Sequence, residues 1–245
     1  MSAVASLRAV LLLFAAHPDL PDLLKALPDA LIADLIRDWP SWGRDDQCPS
    51  YEARRWTRWL MLGGRGAGKT RAGAEWVRAK ITGEFWAGPK AGHIALIGAS
   101  LDDARRVMVE GVSGLLAVHQ GFARPEFQPS RRLITWPNGA TAQIFSADEP
   151  DSLRGPQFDA AWCDELTKWR YAAEAWDMLQ FGMRLGDAPQ AVITTTPRPI
   201  PLLKTMMDDP ALVVTRARTD ANRKHLAAAF LAEIERRYGG TRLGR

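Results

Sequence analysis

Gly63-Gly64-Arg65-Gly66-Ala67-Gly68-Lys69-Thr70 fits the pattern G-x-x-x-x-G-K-[ST], and its flanks give that pattern meaning. Before it, Trp59, Leu60, Met61 and Leu62 form an apolar run of strand length; after it, residues 71–81 read as a helix. Glycines let the backbone wrap closely around phosphates, so that successive N–H groups and the helix N-terminus face the anion. Lys69 would reach the β- and γ-phosphates, and Thr70 would place its hydroxyl on Mg²⁺. With glycine near 7% of an average chain, chance alone produces this pattern in roughly one chain in a hundred of this length. Strand–loop–helix context makes nucleotide binding the reading. Arg65 inside the loop is either a solvated side chain or an extra cation that meets the γ-phosphate.

Outward from the loop, short apolar runs alternate with helical patterns. Residues 93–99 read as a buried strand, and Ser100 can cap a helix from Leu101 with Asp102 and Asp103 in its first turn. Further strands are expected at 158–163, 191–195 and 212–215, and helices at 168–185 and 223–238. The last of these stops at Gly239-Gly240. This order implies an α/β fold with a mainly parallel central sheet flanked by helices. Pro137-Asn138-Gly139 between the runs 133–136 and 140–145 is a hairpin signal, predicting an antiparallel addition to the sheet. Upstream, residues 1–40 read as a lead-in of short helices punctuated by Pro18, Pro21, Pro28 and Pro40, followed by a polar loop at 42–52.

A phosphate loop needs a carboxylate at the tip of a neighbouring strand. Asp164 and Glu165 end such a strand: Asp164 would serve Mg²⁺, and Glu165 would point differently and orient or deprotonate the attacking water. Ile193-Thr194-Thr195-Thr196-Pro197 ends another core strand. Its hydroxyls either sense the γ-phosphate or its water, or reflect only the strand preference of threonine.

Together, residues 63–76, Cys163-Asp164-Glu165 and Thr194-Thr195-Thr196-Pro197 resemble the ATPase domain of the large terminase subunit, the DNA-packaging motor of tailed phages and of phage-derived gene transfer agents. The resemblance runs from about residue 39 to 240. It implies a P-loop NTPase of RecA/ASCE type, with a lead-in at 1–40, an ATPase core at 41–210 and a small C-terminal lid at 211–245. It also implies ATP hydrolysis coupled to translocation of double-stranded DNA into a procapsid. ATP and Mg²⁺ are then the ligands, and a portal protein and a small terminase subunit the partners. A chain that is monomeric alone would act as a ring, a pentamer, on the capsid, in the cytoplasm of a bacterial host.

Residue by residue, the resemblance makes Arg44 and Gln47 the adenine-recognition segment, otherwise an ordinary polar loop. Gly63, Gly64, Arg65, Gly66, Ala67, Gly68, Lys69 and Thr70 become the phosphate loop, with Arg65 acting in cis. Thr194, Thr195 and Thr196 become the coupling motif, and residues 212–238 the lid that hydrolysis shifts. Arg154, in Ser152-Leu153-Arg154-Gly155, matches an arginine supplied to the neighbouring subunit's site; otherwise it is a structural arginine paired with Asp151 or Asp159. Family members usually continue into an RNase H-like nuclease, and this chain ends where that domain would begin. No DNA cleavage is therefore expected of this chain alone. The alternatives are a helicase-like ATPase, which normally needs a second motor lobe, and a nucleotide switch, which needs neither Glu165 nor Arg154.

Composition agrees with a globular domain. Of 245 residues, 47% are hydrophobic and 24% charged, which argues against disorder. Cys48 and Cys163 are too few for a disulfide framework or a four-cysteine zinc site, and they point to a reducing cytosol. Residues 9–16 are the nearest thing to a targeting segment: far short of the roughly 20 apolar residues a membrane span needs, they read as a first helix, with a signal-peptide core the alternative against which Pro18, Pro21 and the single Arg8 count, so no membrane association is expected. A net charge of +4 permits nucleic acid without arguing for it. Arg124, Arg131 and Arg132 are the best local basic cluster, either DNA-contacting or a solvated face. The ten tryptophans could stack on bases, but their placement on apolar strand and helix faces puts them in the core as the expected reading.

Overall fold

The computed structural model describes residues 17–119 and 123–238. The run 9–16, Gly239-Gly240 and the basic end 241–245 lie outside the described residues. Two compact units divide the chain, one ending at Cys48 and the other beginning at Pro49. In the first, α1 (Leu20–Lys25) and α2 (Asp29–Arg37) lead to a single turn Trp39–Trp42 and a 3₁₀ turn Asp45–Gln47. Pro21 and Pro40 sit at early helical positions, where a missing N–H costs nothing.

The second unit is built on eight strands: β1 (Arg58–Gly63), β2 (His93–Gly98), β3 (Glu126–Gln128), β4 (Leu133–Thr135), β5 (Thr141–Ser146), β6 (Ala160–Asp164), β7 (Gln190–Thr195) and β8 (Leu212–Ala217). Their order across the sheet is β3-β4-β5-β2-β6-β7-β1-β8. Every pairing from β5 to β8 is parallel, and β4 is antiparallel to both β3 and β5. The chain therefore has the expected α/β fold with a mainly parallel sheet and an antiparallel hairpin. Strand β3, just three residues long, escaped the sequence reading.

Parallel strands covered on both faces read as continuous apolar runs. Trp59, Leu60, Met61 and Leu62 are accordingly all buried. One face of the sheet joins Leu60, Leu62, Ile97, Cys163 and Ile193 to Trp169, Trp176 and Leu179 in a single core. The α3 helix (Lys69–Thr82) lies on the opposite face, where Gly73 meets the Trp162 indole: a Cβ at position 73 would stand 2.2 Å from Trp162 Cε2. Besides short helical segments at Leu101–Asp103, Ala104–Val109 (π-helical) and Leu115–Val118, the unit carries α4 (Ala172–Gly182), α5 (Pro201–Met207) and α6 (Ala228–Tyr238).

Several expected boundaries shift for identifiable reasons. The helix expected at 168–185 begins only at Ala172, because Glu165 takes a left-handed backbone (φ +51°) and Leu166–Lys168 form a 3₁₀ turn. The helix expected at 223–238 divides into a 3₁₀ segment Thr219–His225 and α6, with Leu226 extended between them. Residues 42–52 are not all loop, since they hold the Asp45–Gln47 turn and open into a helical turn at Tyr51–Arg54. Ser100 does cap as expected, its Oγ accepting the Asp103 N–H at 3.1 Å.

Under the hairpin, His119 is buried between two fixed partners. Its Nδ1 lies 2.7 Å from Leu115 O, and the Trp136 indole Nε1–H donates to its Nε2 at 2.8 Å. This geometry requires the neutral ring with its proton on Nδ1. Burial pushes the ring down to about 4, with Arg78 adding to the effect and the Leu115 hydrogen bond opposing it. An ordinary histidine near 6.5 in the unfolded chain then binds more protons than the folded one between those values, so stability falls as pH drops from 6.5 through 4. The expected loss is about 3 kcal/mol. Urea unfolding at pH 7 and pH 4 checks this: His119→Gln should flatten the histidine part of the slope, and an unchanged slope would contradict it.

Candidate functional site

All loops that leave the parallel strands at their C-terminal ends open on one edge of the sheet, the usual place for a ligand crevice. Register brings three of them together. Met61 and Asp164 both pair with Thr194, and Leu62 pairs with Thr195, so β7 stands between the phosphate-loop strand and the acid strand.

The Gly63–Thr70 loop turns through left-handed glycines, Gly66 at φ +75° and Gly68 at φ +84°, before α3 begins at Lys69. Lys69 is buried and its Nζ donates to Gly63 O at 3.0 Å, Gly64 O at 3.1 Å and Thr196 Oγ1 at 3.3 Å. It also lies 3.3 Å from Glu165 Oε1. Four acceptors thus surround three protons, and an incoming phosphate would compete for them. Thr70 is half-buried at the second position of α3, and Arg65 is exposed at the loop's tip.

Glu165 is held from two sides. Thr196 contributes its hydroxyl to Oε1 at 3.3 Å and its N–H to Oε2 at 3.4 Å, and Lys168 Nζ lies 3.7 Å from Oε2. Burial alone would raise this carboxyl, but the charges of Lys69 and Lys168, with hydrogen bonds from Lys69 and Thr196, outweigh it and hold the group below the usual range. Asp164 behaves oppositely. Burial and the neighbouring Glu165 push it up to about 6, against the Thr194 hydrogen bond and the two lysines. A buried carboxylate with no direct cationic hydrogen-bond partner among those described suits a hard divalent cation with oxygen ligands.

Each of Thr194, Thr195 and Thr196 has a distinct partner. Thr194 Oγ1 donates to Asp164 Oδ1 at 2.6 Å. Thr195 Oγ1 accepts the Thr167 N–H at 3.1 Å and lies 2.9 Å from the Thr167 hydroxyl. Thr196 bridges Lys69 and Glu165. Sequence reasoning named these threonines but missed Thr167 and Lys168; both lie in a 3₁₀ turn, of which it took only Lys168, as the start of a helix. It also missed Thr219 and Asn222, which donate to Arg65 O at 3.0 Å and Gly66 O at 2.7 Å and so tie the segment after β8 to the outer side of the phosphate loop. No periodic signal marks either residue.

Of the remaining candidates, Arg44, Gln47 and Arg154 have partners of their own. Arg44 and Gln47 belong to the first compact unit, where Gln47 Oε1 accepts the Arg44 N–H at 3.2 Å and Arg44 pairs with Asp46 at 2.8 Å. Arg154 pairs with Asp151 at 3.0 Å and donates to Met178 Sδ at 3.4 Å, while Asp159 instead accepts the Gly92 and His93 N–H groups. Arg124, Arg131 and Arg132 are exposed around the β3–β4 hairpin, with Arg132 left-handed at φ +53°. Cys163 is buried, and burial raises its thiol well above the usual range, as fits a small hydrophobe and not a nucleophile.

Residues 60–245 match the family described as "Terminase large subunit, T4likevirus-type, N-terminal". Among solved structures, the chain is similar to the large terminase of a thermophilic bacteriophage, with a TM-score of 0.62 and 15% identity over 85% of this chain and 50% of that one. The complex of that phage terminase with ADP matches equally, at a TM-score of 0.62 and 16% identity over 84% of this chain and 49% of that one. The large terminase ATPase domain of Thermus phage P74-26 matches at a TM-score of 0.52 and 16% identity, over 76% of this chain and 84% of that one. The chain spans about half the length of the first of these proteins. No curated protein matches it by sequence.

Proposed function

The chain belongs to the terminase large subunit family, and from that premise we propose that it is an ATP-hydrolysing motor domain that drives double-stranded DNA into a procapsid. One observation carries the reading: Lys69 of the phosphate loop, Glu165 of the acid strand and Thr196 of the strand between them converge within 3.3 Å of one another. Binding modules need no such carboxylate beside the phosphate lysine. The ADP complex of the thermophilic phage relative supports a nucleotide ligand.

In this mechanism the N–H groups of the phosphate loop bind the β- and γ-phosphates, and Lys69 leaves Glu165 for them. Thr70 and Asp164 would hold Mg²⁺, which would supply charge neutralisation at the phosphate oxygens. Glu165, freed from Lys69, takes a proton from the attacking water or orients it. Thr196 has contacts on both sides and so registers the exchange, and Thr219 and Asn222 pass the loop's movement to the lid, residues 211–245. Arg65 acts in cis and Arg154 in the neighbouring subunit's site. Arg44 and Gln47 read the adenine edge.

The working assembly is a homo-oligomeric ring, a pentamer, on a portal, fed by a small terminase subunit in the host cytoplasm. No described helix is long and apolar enough to cross a membrane. Arg124, Arg131 and Arg132 meet the DNA backbone, where contacts are sequence-independent and weaken with salt.

ATP binding measured by calorimetry tests the reading at its base. Lys69→Ala removes the cation at the phosphates and is expected to weaken ATP binding by about tenfold or more, since hydrogen bonds to charged groups contribute about 1.5–3 kcal/mol. Wild-type affinity in that variant would contradict the assignment.

A further inference from the structure

Trp162 precedes Asp164 by two residues on β6, so the two side chains share a face of the sheet, the one α3 covers. The indole is fully buried and fixed by the close approach of Gly73. It does more than fill space, because Nε1 donates to Thr194 Oγ1 at 2.9 Å. An indole N–H only donates, so the Thr194 oxygen receives that bond and its single proton must go elsewhere. Two acceptors are within reach: Asp164 Oδ1 at 2.6 Å and Cys163 O at 3.4 Å. The carboxylate is nearer and the bond to it is charge-assisted, so the proton goes there.

We infer that Trp162 is a positioning residue for the metal-binding carboxylate: its indole N–H orients the Thr194 hydroxyl, which holds Asp164 Oδ1 and sets the angle at which the carboxylate meets a divalent cation. The inference rests on the reading of Asp164 as a metal ligand. Phenylalanine at position 162 would fill most of the same space but leave the hydroxyl free to turn to Cys163 O. Helix α3 carries Lys69 and Thr70 at its head and Gly73 against Trp162, so one rigid element frames both the phosphate and the metal ends of the site.

Binding of Mn²⁺ in the presence of ADP, followed by electron paramagnetic resonance, provides the test. Trp162→Phe and Thr194→Val are each expected to weaken Mn²⁺ binding by about tenfold, the effect typical of partners that orient a metal ligand. Thr194→Ser should bind as wild type does, and the double variant Trp162→Phe/Thr194→Val no more weakly than Thr194→Val alone. ADP affinity without metal should stay unchanged throughout, which a general packing defect would not allow. Wild-type Mn²⁺ affinity in Trp162→Phe, or losses that multiply in the double variant, would overturn the inference. Asp164→Asn separates the two levels: if it keeps Mn²⁺ affinity, the metal-ligand reading fails and the inference with it; if it alone loses affinity, only the inference fails. Should Trp162→Phe not fold, indole N–H spectra of ¹⁵N-labelled wild type still decide. Thr194→Val should move one indole signal, and Mg²⁺ with ADP should move that same signal; a signal indifferent to the metal sinks the proposal.

Discussion

Glu165→Gln is expected to lower Mg²⁺-dependent ATP turnover by about 10²–10⁴-fold, the range for loss of a positioned general base, while ATP still binds. Glutamine retains the size; its single carbonyl oxygen can accept the Thr196 N–H, and its NH2 can donate to the Thr196 hydroxyl, where the carboxylate now accepts both at 3.4 and 3.3 Å. What it loses is basicity and charge. Removing the charge also releases Lys69, 3.3 Å away, from its competing partner, so ATP should bind at least as tightly as to wild type. Turnover and affinity therefore separate in this variant. A Glu165→Gln protein that hydrolyses ATP within about threefold of wild type would show that Glu165 is not the base.

Arg154→Ala should be as costly, by about 10³–10⁵-fold, but only where subunits meet. In the single chain Arg154 is largely exposed at 68% of its side chain, pairs with Asp151 and rests on Met178 Sδ. None of these bonds reaches Lys69 or Glu165. A surface ion pair of this kind contributes at most about 1 kcal/mol, so little holds the guanidinium from a neighbour's phosphates. Mixing Arg154→Ala with Glu165→Gln distinguishes trans from cis action. Some interfaces would then join an intact Glu165 to an intact Arg154, and turnover should partly recover. An arginine acting in its own subunit's site gives no recovery.

The chemistry was legible wherever it was local. Eight consecutive residues carry the phosphate loop, adjacent acids end β6, and Asn138-Gly139 turns the hairpin; each depends on neighbours along the chain. What could not be read depends on which strands meet. That β7 stands between β1 and β6 follows from Met61 and Asp164 both pairing with Thr194, the first a contact across more than a hundred residues of chain. Only then does Thr194 face Asp164, and Thr196 lie between Lys69 and Glu165.

The same cause explains the helix expected to start at Lys168. Its periodicity is sound from Ala172, but Thr167 bonds Thr195 and Thr196 O, and the Trp169 indole N–H bonds Asp164 O at 2.9 Å. These partners, the threonines of β7 above all, draw the chain into a tight turn first. Trp162 shows a different blindness. Its apolar surroundings correctly place it in the core, and periodicity says nothing of where an indole N–H points. Pro201, at the first position of α5, is a signal that was present in the sequence and went unread.

The central claim is that this crevice hydrolyses ATP when subunits complete one another's sites. Phosphate release by the wild-type chain with Mg²⁺, measured across protein concentrations with and without duplex DNA, tests it most directly. The account predicts weak specific activity in dilute protein that rises with concentration or with DNA. A specific activity that stays constant over the whole range, with DNA making no difference, would contradict it.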